Sequence, residues 1–158
     1  MIKNIPRHIE QFWKEFLNSD RCPANAQSLF QTTYQIGANK EDADHGSTLI
    51  LTGQKTATSS LIWEFEINNE ALPSIGDLCV IENGKGEPVC VVETIWVETI
   101  PFAKVDAKFA KEYAEADGTL EDWKKVFGKY YAGVCLSLGK EFTPDTLLVC
   151  ERFRVIYP

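Results

Sequence analysis

A single lysine stands in a short run of small and hydroxyl-bearing residues, and this run is the part of the chain best suited to chemistry. The run is Gly53-Gln54-Lys55-Thr56-Ala57-Thr58-Ser59-Ser60, with mostly apolar residues on both sides. A surface turn usually carries more charge than this, and a core strand does not normally hold a lysine. The run therefore predicts the junction between a helix and a strand, with a cation and hydroxyl groups held at the edge of the core.

The ammonium of Lys55 would act as a base only if its pKa were lowered. Moving that pKa from ~10.4 to ~7 requires roughly 4–5 kcal/mol of desolvation or like charge, which an apolar pocket can supply. The aromatic residues Trp63, Phe65 and Phe153 are candidates to line such a pocket. The alternative is an ordinary exposed lysine near a turn, which is common in proteins.

The hydroxyls of Thr58 and Ser59 could hold a substrate oxygen, or one of them could serve as a nucleophile. Neither lies near a histidine or in the strained turn that activates a serine in many hydrolases. The alternative is that both hydroxyls cap a turn or pair with the backbone.

Glu115 follows a predicted helix and stands beside Asp117 and Gly118 in a break of that helix. A carboxylate held in such a break can point into a cleft and transfer protons. The alternative is a solvated acidic turn.

Two further charged residues, Glu64 and Arg152, alternate with apolar residues in predicted strands and are candidates for substrate binding. Glu64 shares one strand face with Glu66, so one of the two carboxylates is expected to be merely solvated. Arg152 with Glu151 could equally form a plain surface pair that contributes little.

These residues must be positioned by a mixture of helices and strands. Apolar periodicity predicts an aromatic-faced helix from Pro6 to about Leu17 and a second helix from Glu41 to Thr52. Helices are also predicted over residues 24–30, 104–114 and from 119 to about 139, the last begun by the capping pair Thr119 and Asp122. Strands are predicted over residues 32–36, 60–67, 78–81, 89–99 and 146–157.

This order of elements favours an α+β fold with a mixed, mainly antiparallel β-barrel and helices around it. No regular strand–helix–strand repeat occurs, which argues against a parallel dinucleotide-binding sheet. The 158 residues predict one domain, with residues 1–40 as an N-terminal helical extension and residues 41–158 as the barrel core.

Composition limits the possible functions. The net charge of −7 argues against broad binding to duplex nucleic acid, although a small pocket that reads one nucleoside needs only a few groups. Five scattered cysteines and two distant histidines predict no metal site and no cofactor, and they indicate free thiols in a reducing cytoplasm. No apolar run is long enough to span a membrane.

Several separated motifs, in a fixed order, carry a resemblance to a known family. The first are Gly53-x-Lys55-Thr56-x-Thr58, Leu61-x-Trp63-Glu64-x-Glu66 and Pro73-x-x-Gly76-Asp77. The later ones are Gly86-Glu87-Pro88-Val89-Cys90, Val97-Glu98-x-x-Pro101-Phe102, Glu115-x-Asp117-Gly118-x-Leu120-x-x-Trp123 and Cys150-Glu151-Arg152-Phe153-Arg154-Val155. Over about residues 40–158 the chain resembles bacterial stand-alone members of the activating-signal-cointegrator homology (ASCH) domain family.

The resemblance implies a PUA-like β-barrel fold and a function connected with nucleosides or single-stranded RNA. One small bacterial branch of the family removes the acetyl group from N4-acetylcytidine with a lysine, a threonine three residues later and a distant glutamate. Lys55 and Thr58 match the first two without a gap, and the glutamate falls on Glu115 with a shift of one residue. The implied chemistry is a metal-independent amidohydrolase in which an aromatic ring of Trp63 or Phe153 stacks on the base.

Two other functions remain open on the sequence. One is a non-catalytic module whose cleft binds RNA or a nucleotide. The other is a ribonuclease, which would need a local basic groove to offset the acidic charge. The oligomeric state is not indicated by the sequence.

Overall fold

The structure is a computed structural model that describes residues 3–158, and this part of the chain folds into a mixture of helices and strands. The α-helices are α1 (Glu10–Leu17), α2 (Ala26–Leu29), α3 (Lys40–Leu51), α4 (Ile62–Ile67), α5 (Ala107–Tyr113) and α6 (Leu120–Ser137). Short 3₁₀ turns over Arg7–Ile9 and Phe102–Lys104 lead into α1 and α5. No helix among residues 3–158 is long and apolar enough to cross a membrane.

The strands form one five-stranded sheet of mixed direction. They are β1 (Phe30–Gln35), β2 (Ala57–Leu61), β3 (Leu78–Glu82), β4 (Pro88–Pro101) and β5 (Leu147–Tyr157), in the order β1-β3-β4-β5-β2. β1 runs parallel to β3, whereas the β3–β4 and β2–β5 pairs are antiparallel. The α+β class and the mainly antiparallel sheet predicted from the sequence are therefore confirmed.

The chain divides into two compact units. The first unit contains residues up to 54, residues 73–96 and residues 153–158, and the second unit contains residues 55–72 and 97–152.

The first unit is built on the aromatic face of α1. Trp13 and Phe16 of this helix are buried with Ile9, and the Trp13 ring packs edge-on against Phe30 of β1 at 5.0 Å between ring centroids. The predicted N-terminal amphipathic helix is thus present. A separate apolar cluster of this unit contains Ile36, Ile50, Cys79, Ile81, Cys90, Val92 and Phe153.

The second unit has an aromatic core between α5 and α6. Trp123 of α6 is fully buried, and its indole packs against Phe109 and Tyr113 of α5 and against Phe127. The Tyr113 and Phe127 ring centroids lie 4.6 Å apart. This core fixes the C-terminal end of α5, from which the chain continues into the candidate site.

The prediction of a strand over residues 60–67 is wrong in its second part. β2 ends at Leu61, and the next residues form the short helix α4. Glu64 causes the change, because its Oε2 accepts a hydrogen bond from the backbone N–H of Leu61 at 2.9 Å and so caps the first turn of the helix. Glu64 and Glu66 consequently do not share a strand face.

Other local predictions are confirmed. Thr119 caps α6 by accepting a hydrogen bond from the backbone N–H of Asp122, as the capping spacing predicts. Gly53 and Gly139 follow α3 and α6 with φ of +77° and +68°, a conformation that glycine adopts without strain. All five cysteines are free thiols and four are buried.

Candidate functional site

Lys55 lies in the second unit, two residues before β2, and its side chain is buried. The residue is 1% exposed, and its Nζ donates hydrogen bonds to the carbonyl oxygens of Ala57 at 2.6 Å and Tyr113 at 3.1 Å. The Nζ also lies 2.6 Å from Oε2 of Glu115 and 3.5 Å from the centroid of the Tyr113 ring. A surface lysine, the alternative left open by the sequence, is therefore excluded.

Burial controls the protonation of this amine. Removal from water lowers the pKa of Lys55 from 10.5 to about 8, although the charge and hydrogen bond of Glu115 act in the opposite direction. A buried cation loses hydration, and one nearby carboxylate restores only part of that free energy. The amine consequently changes charge close to physiological pH.

Glu115 reaches Lys55 because the chain turns sharply at the end of α5. The residue after the helix, Ala114, has a φ of +60°, and this left-handed conformation redirects the backbone into the loop that carries Glu115. The loop is closed further on by Asp117, whose Oδ1 accepts hydrogen bonds from the backbone N–H and the hydroxyl of Thr119. The Glu115 side chain remains 14% exposed, so it connects the buried amine with the surface.

Three hydroxyl groups, those of Ser59, Tyr113 and Tyr131, cluster beside the amine, and a hydrogen bond from Thr58 acts to lower the pKa of Tyr113. Ser59 Oγ lies 3.3 Å from the Tyr113 hydroxyl and 2.5 Å from the Tyr131 hydroxyl. Burial raises the pKa of both tyrosines, so both hydroxyls keep their protons throughout the neutral range.

A second ion pair joins β5 to α5 beside this cluster. Arg152 of β5 donates from Nε and Nη2 to the two carboxylate oxygens of Glu112, at 2.7 and 3.2 Å. The backbone carbonyl of Glu112 accepts from the N–H of Thr56 at 2.9 Å. Because Arg152 also pairs in register with Ala57, these contacts fix the backbone on both sides of Lys55.

The other predicted binding residues have different surroundings. Trp63 lies on α4 with Nζ of Lys140 5.5 Å from its ring centroid, and Glu64 caps the same helix. Phe153 is 3% exposed and belongs to an apolar cluster of the first unit. The structure thus brings together Lys55, Thr58, Ser59 and Glu115, and Arg152 lies nearby in its ion pair with Glu112. Roles in substrate binding for Trp63, Glu64 and Phe153 stay predictions.

Sequence reasoning missed three residues of this site: Glu112, Tyr113 and Tyr131. The rings of Tyr113 and Tyr131 lie on the buried faces of their helices, where both pack against Phe127. The available signal was chemical, because a tyrosine on a buried helix face must find a partner for its hydroxyl. Tyr113 also stands two residues before Glu115, at the point where the helix was expected to break.

Metal ligation has no geometric basis in the described part of the chain. Residues 3–158 contain no group of three or more histidine, cysteine, aspartate or glutamate residues arranged to hold a metal ion.

The fold and the motifs define a known domain class. The family model of the ASCH domain matches residues 32–157. The chain therefore belongs to the ASCH domain family, and the resemblance found in the sequence is confirmed.

Solved structures agree with this assignment. An ASCH domain from Lactobacillus crispatus JV V101 superposes with a TM-score of 0.89 at 28% identity, covering 99% of this chain and 98% of that one. Protein EF3133 from Enterococcus faecalis V583 gives a TM-score of 0.82 at 28% identity, covering 94% and 87%. The hypothetical protein PH0355, at 14% identity and a TM-score of 0.51, shares the fold alone and covers 80% and 97%. A comparison with curated proteins finds no match.

Proposed function

We propose that this ASCH protein is an amidohydrolase that acts without a metal on an acylated nucleoside such as N4-acetylcytidine. The observation that carries the proposal is the buried Lys55 ammonium, 2.6 Å from Glu115 and in contact with the same tyrosine as Thr58. A lysine of lowered pKa, a hydroxyl and a partly exposed carboxylate are the groups that base-catalysed acyl transfer requires.

The hydrogen bonds of Lys55 determine which proton it releases. An ammonium has three N–H donors, and here two point to the carbonyl oxygens of Ala57 and Tyr113. The third donor meets Glu115, the member of the group that reaches the surface. The amine therefore loses its proton on the Glu115 side, and its lone pair then points away from the two carbonyls.

The proposed reaction uses these groups. The neutral amine of Lys55 takes the proton of the Thr58 hydroxyl or of a water, and the oxygen adds to the amide carbonyl carbon. The carbon–nitrogen bond of the resulting tetrahedral intermediate breaks, while the proton passes from Lys55 through Glu115 to the leaving amine. If Thr58 is the nucleophile, water then cleaves the acetyl ester and returns the threonine hydroxyl, which gives cytidine and acetate.

The geometry favours this function over simple anion binding. The Lys55 ammonium already has three acceptors, so a phosphate of RNA could bind it only by displacing one of them. The net charge of −7 also opposes the approach of a polyanion, whether for binding or for strand cleavage. A neutral nucleoside meets neither obstacle.

The direct test is incubation of the purified protein with N4-acetylcytidine and detection of cytidine and acetate. Lys55→Met, which keeps the length of the side chain, is expected to lower kcat/KM by about 100-fold or more because it removes the base. The matched control is Lys108→Met, since Lys108 is an exposed lysine on α5 of the same unit. Absence of turnover by the unmodified protein would refute the proposed function, and equal activity of Lys55→Met would refute the role of Lys55.

A further inference from the structure

The two carbonyl oxygens that accept hydrogen bonds from Lys55 belong to different elements of the second unit. Ala57 is the first residue of β2, and Tyr113 is the last residue of α5. The side chain of Lys55 is completely buried. The spacing between β2 and α5 therefore decides whether water can reach the amine.

Glu112 joins these two elements through both its backbone and its side chain. Its carbonyl oxygen accepts a hydrogen bond from the N–H of Thr56 at 2.9 Å. Thr56 directly precedes Ala57, and Glu112 directly precedes Tyr113. The Glu112 carboxylate accepts two hydrogen bonds from Arg152, whose backbone is the β5 partner of Ala57. The ion pair thus connects α5, by way of β5, with the strand that holds the amine.

We propose that the ion pair of Arg152 and Glu112 holds β2 and α5 together around the Lys55 ammonium and keeps water away from it. Both are positioning residues, since they act on the reaction through Lys55, and their effect on catalysis rests on the proposed function. A guanidinium suits this task, because its planar N–H donors bind both carboxylate oxygens in a fixed direction. This role differs from the substrate binding that the sequence predicts for Arg152.

Charged and titratable side chains come from every element packed around Lys55. They are Glu112 and Tyr113 of α5, Glu115 of the following loop, Tyr131 of α6, and Cys150 and Arg152 of β5. Burial raises the pKa of the two tyrosines and of the cysteine, so all three are uncharged in neutral solution. The opposite charges of the ion pair lie 2.7 Å apart and largely cancel at a distance. The pair is therefore expected to act on Lys55 by excluding water.

The direction of the expected effect follows from the cause of the lowered pKa. Loss of hydration lowers the pKa of Lys55 to about 8, so water admitted to the amine should raise it toward 10.5. The neutral, basic form of Lys55 would then be scarcer at neutral pH. A rise of about one pH unit would lower kcat/KM on N4-acetylcytidine at pH 7 by about tenfold, with KM and the alkaline plateau unchanged.

Two variants separate the exclusion of water from a direct effect of charge. Arg152→Lys keeps the positive charge but loses the two-point contact with the carboxylate. Arg152→Ala combined with Glu112→Ala removes both charges together and leaves space for water. Exclusion of water predicts a raised pKa of Lys55 in both proteins, with the larger rise in the alanine pair. An effect of charge alone predicts no change in either, because the net charge of the pair stays the same.

The measurement that decides between them needs no turnover. In protein isotopically labelled at lysine, an NMR titration through the alkaline range follows the Cε signal of Lys55, which is assigned by its absence in Lys55→Met. Arg154→Lys is the matched control, because it makes the same change in the next arginine of β5, whose ion pair with Glu93 is more exposed. The control should leave the titration of Lys55 unchanged.

The outcomes separate the possible failures. An unmodified protein without turnover refutes the amidohydrolase alone, while the titration still decides the role of the ion pair. A Lys55 titration that is the same in Arg152→Lys and in the alanine pair as in the unmodified protein would overturn the positioning role. A raised KM with an unchanged pKa of Lys55 would return Arg152 to substrate binding. Thermal unfolding checks that the variants are folded, and Arg152→Lys decides the question alone if the alanine pair is not.

Discussion

At the scale of single residues, the protonation of Lys55 is a balance between loss of hydration and attraction by one carboxylate. Burial is the larger influence, and it lowers the pKa of Lys55 to about 8 in spite of Glu115 at 2.6 Å. Two carbonyl oxygens stabilise the ammonium as well, but they do not carry a full charge. Lys55 can therefore hold a proton in the resting protein and lose it at slightly alkaline pH.

The first prediction concerns the pH dependence of activity. Because only the neutral amine is a base, kcat/KM on N4-acetylcytidine should rise with pH and level off above about 8. Glu115→Gln removes the negative charge that raises the pKa of Lys55, so this rise should move to lower pH. The plateau should also fall, because the amide cannot pass a proton to the leaving amine. Full pH profiles of both proteins measure the two effects.

The matched control for that profile is Glu121→Gln, which removes an acidic residue from the exposed first turn of α6 in the same unit. Its pH profile should coincide with that of the unmodified protein. A Glu115→Gln profile shifted to higher pH would contradict the assignment of Lys55 as the titrating base.

At the scale of secondary-structure elements, short-range capping decides what each predicted site residue can do. α5 ends on Tyr113, and Ala114 at a φ of +60° directs Glu115 back toward Lys55. After the C-terminal end of β2, the Glu64 carboxylate accepts a hydrogen bond from the N–H of Leu61 and caps the first turn of α4. Glu115 and Glu64, both site candidates in the sequence, therefore have different surroundings.

The second prediction separates a capping role of Glu64 from a role in substrate binding. Glu64→Ala should lower the free energy of unfolding by about 1 kcal/mol, since it leaves the N–H of Leu61 without its acceptor. Glu64→Gln keeps an acceptor oxygen and should stay close to the unmodified protein. Urea unfolding measures both changes.

The exposed neighbour Glu66 supplies the control, because Glu66→Ala removes a carboxylate from the same helix without touching the cap. If Glu64 only caps the helix, KM for N4-acetylcytidine stays constant in Glu64→Ala. An increase in KM would instead support the prediction that Glu64 binds substrate.

At the scale of the whole molecule, the acidic net charge disfavours a nucleic acid strand as the ligand. The chain belongs to the ASCH family and carries a net charge of −7. Proteins that bind nucleic acid strands gain much of their affinity from lysine and arginine contacts that release counterions. An acidic member of the family is therefore better suited to a small neutral ligand than to a strand.

The third prediction uses salt to distinguish these ligands. KM for N4-acetylcytidine should change by less than about twofold between 50 and 500 mM salt, because a neutral nucleoside releases no counterions. The matched ligand is the 5′-monophosphate of the same nucleoside. A salt dependence of its KM would come from the phosphate, because the two ligands differ only in that group. Tight binding of a single-stranded RNA oligomer that weakens steeply with salt would favour the non-catalytic binding module.

The sequence by itself determined the α+β class, the family and most of the elements. These features are local or repetitive: the aromatic face of α1, the capping pair at Thr119 and the glycines after α3 and α6 each act within a few residues. The motif around Lys55 and Thr58 is also contiguous. The prediction of a strand over residues 60–67 is wrong in its second part because Glu64 caps a short helix there.

Only the tertiary structure decided the surroundings of Lys55. Its pairing with Glu115, 60 residues away in the chain, depends on the turn at Ala114 and on the packing of α5 against α6. The hydroxyl cluster likewise joins residues of β2, α5 and α6. Desolvation and hydrogen-bond direction depend on the neighbours that surround an atom in three dimensions, so residue type and spacing could nominate Lys55 but could not establish its pKa.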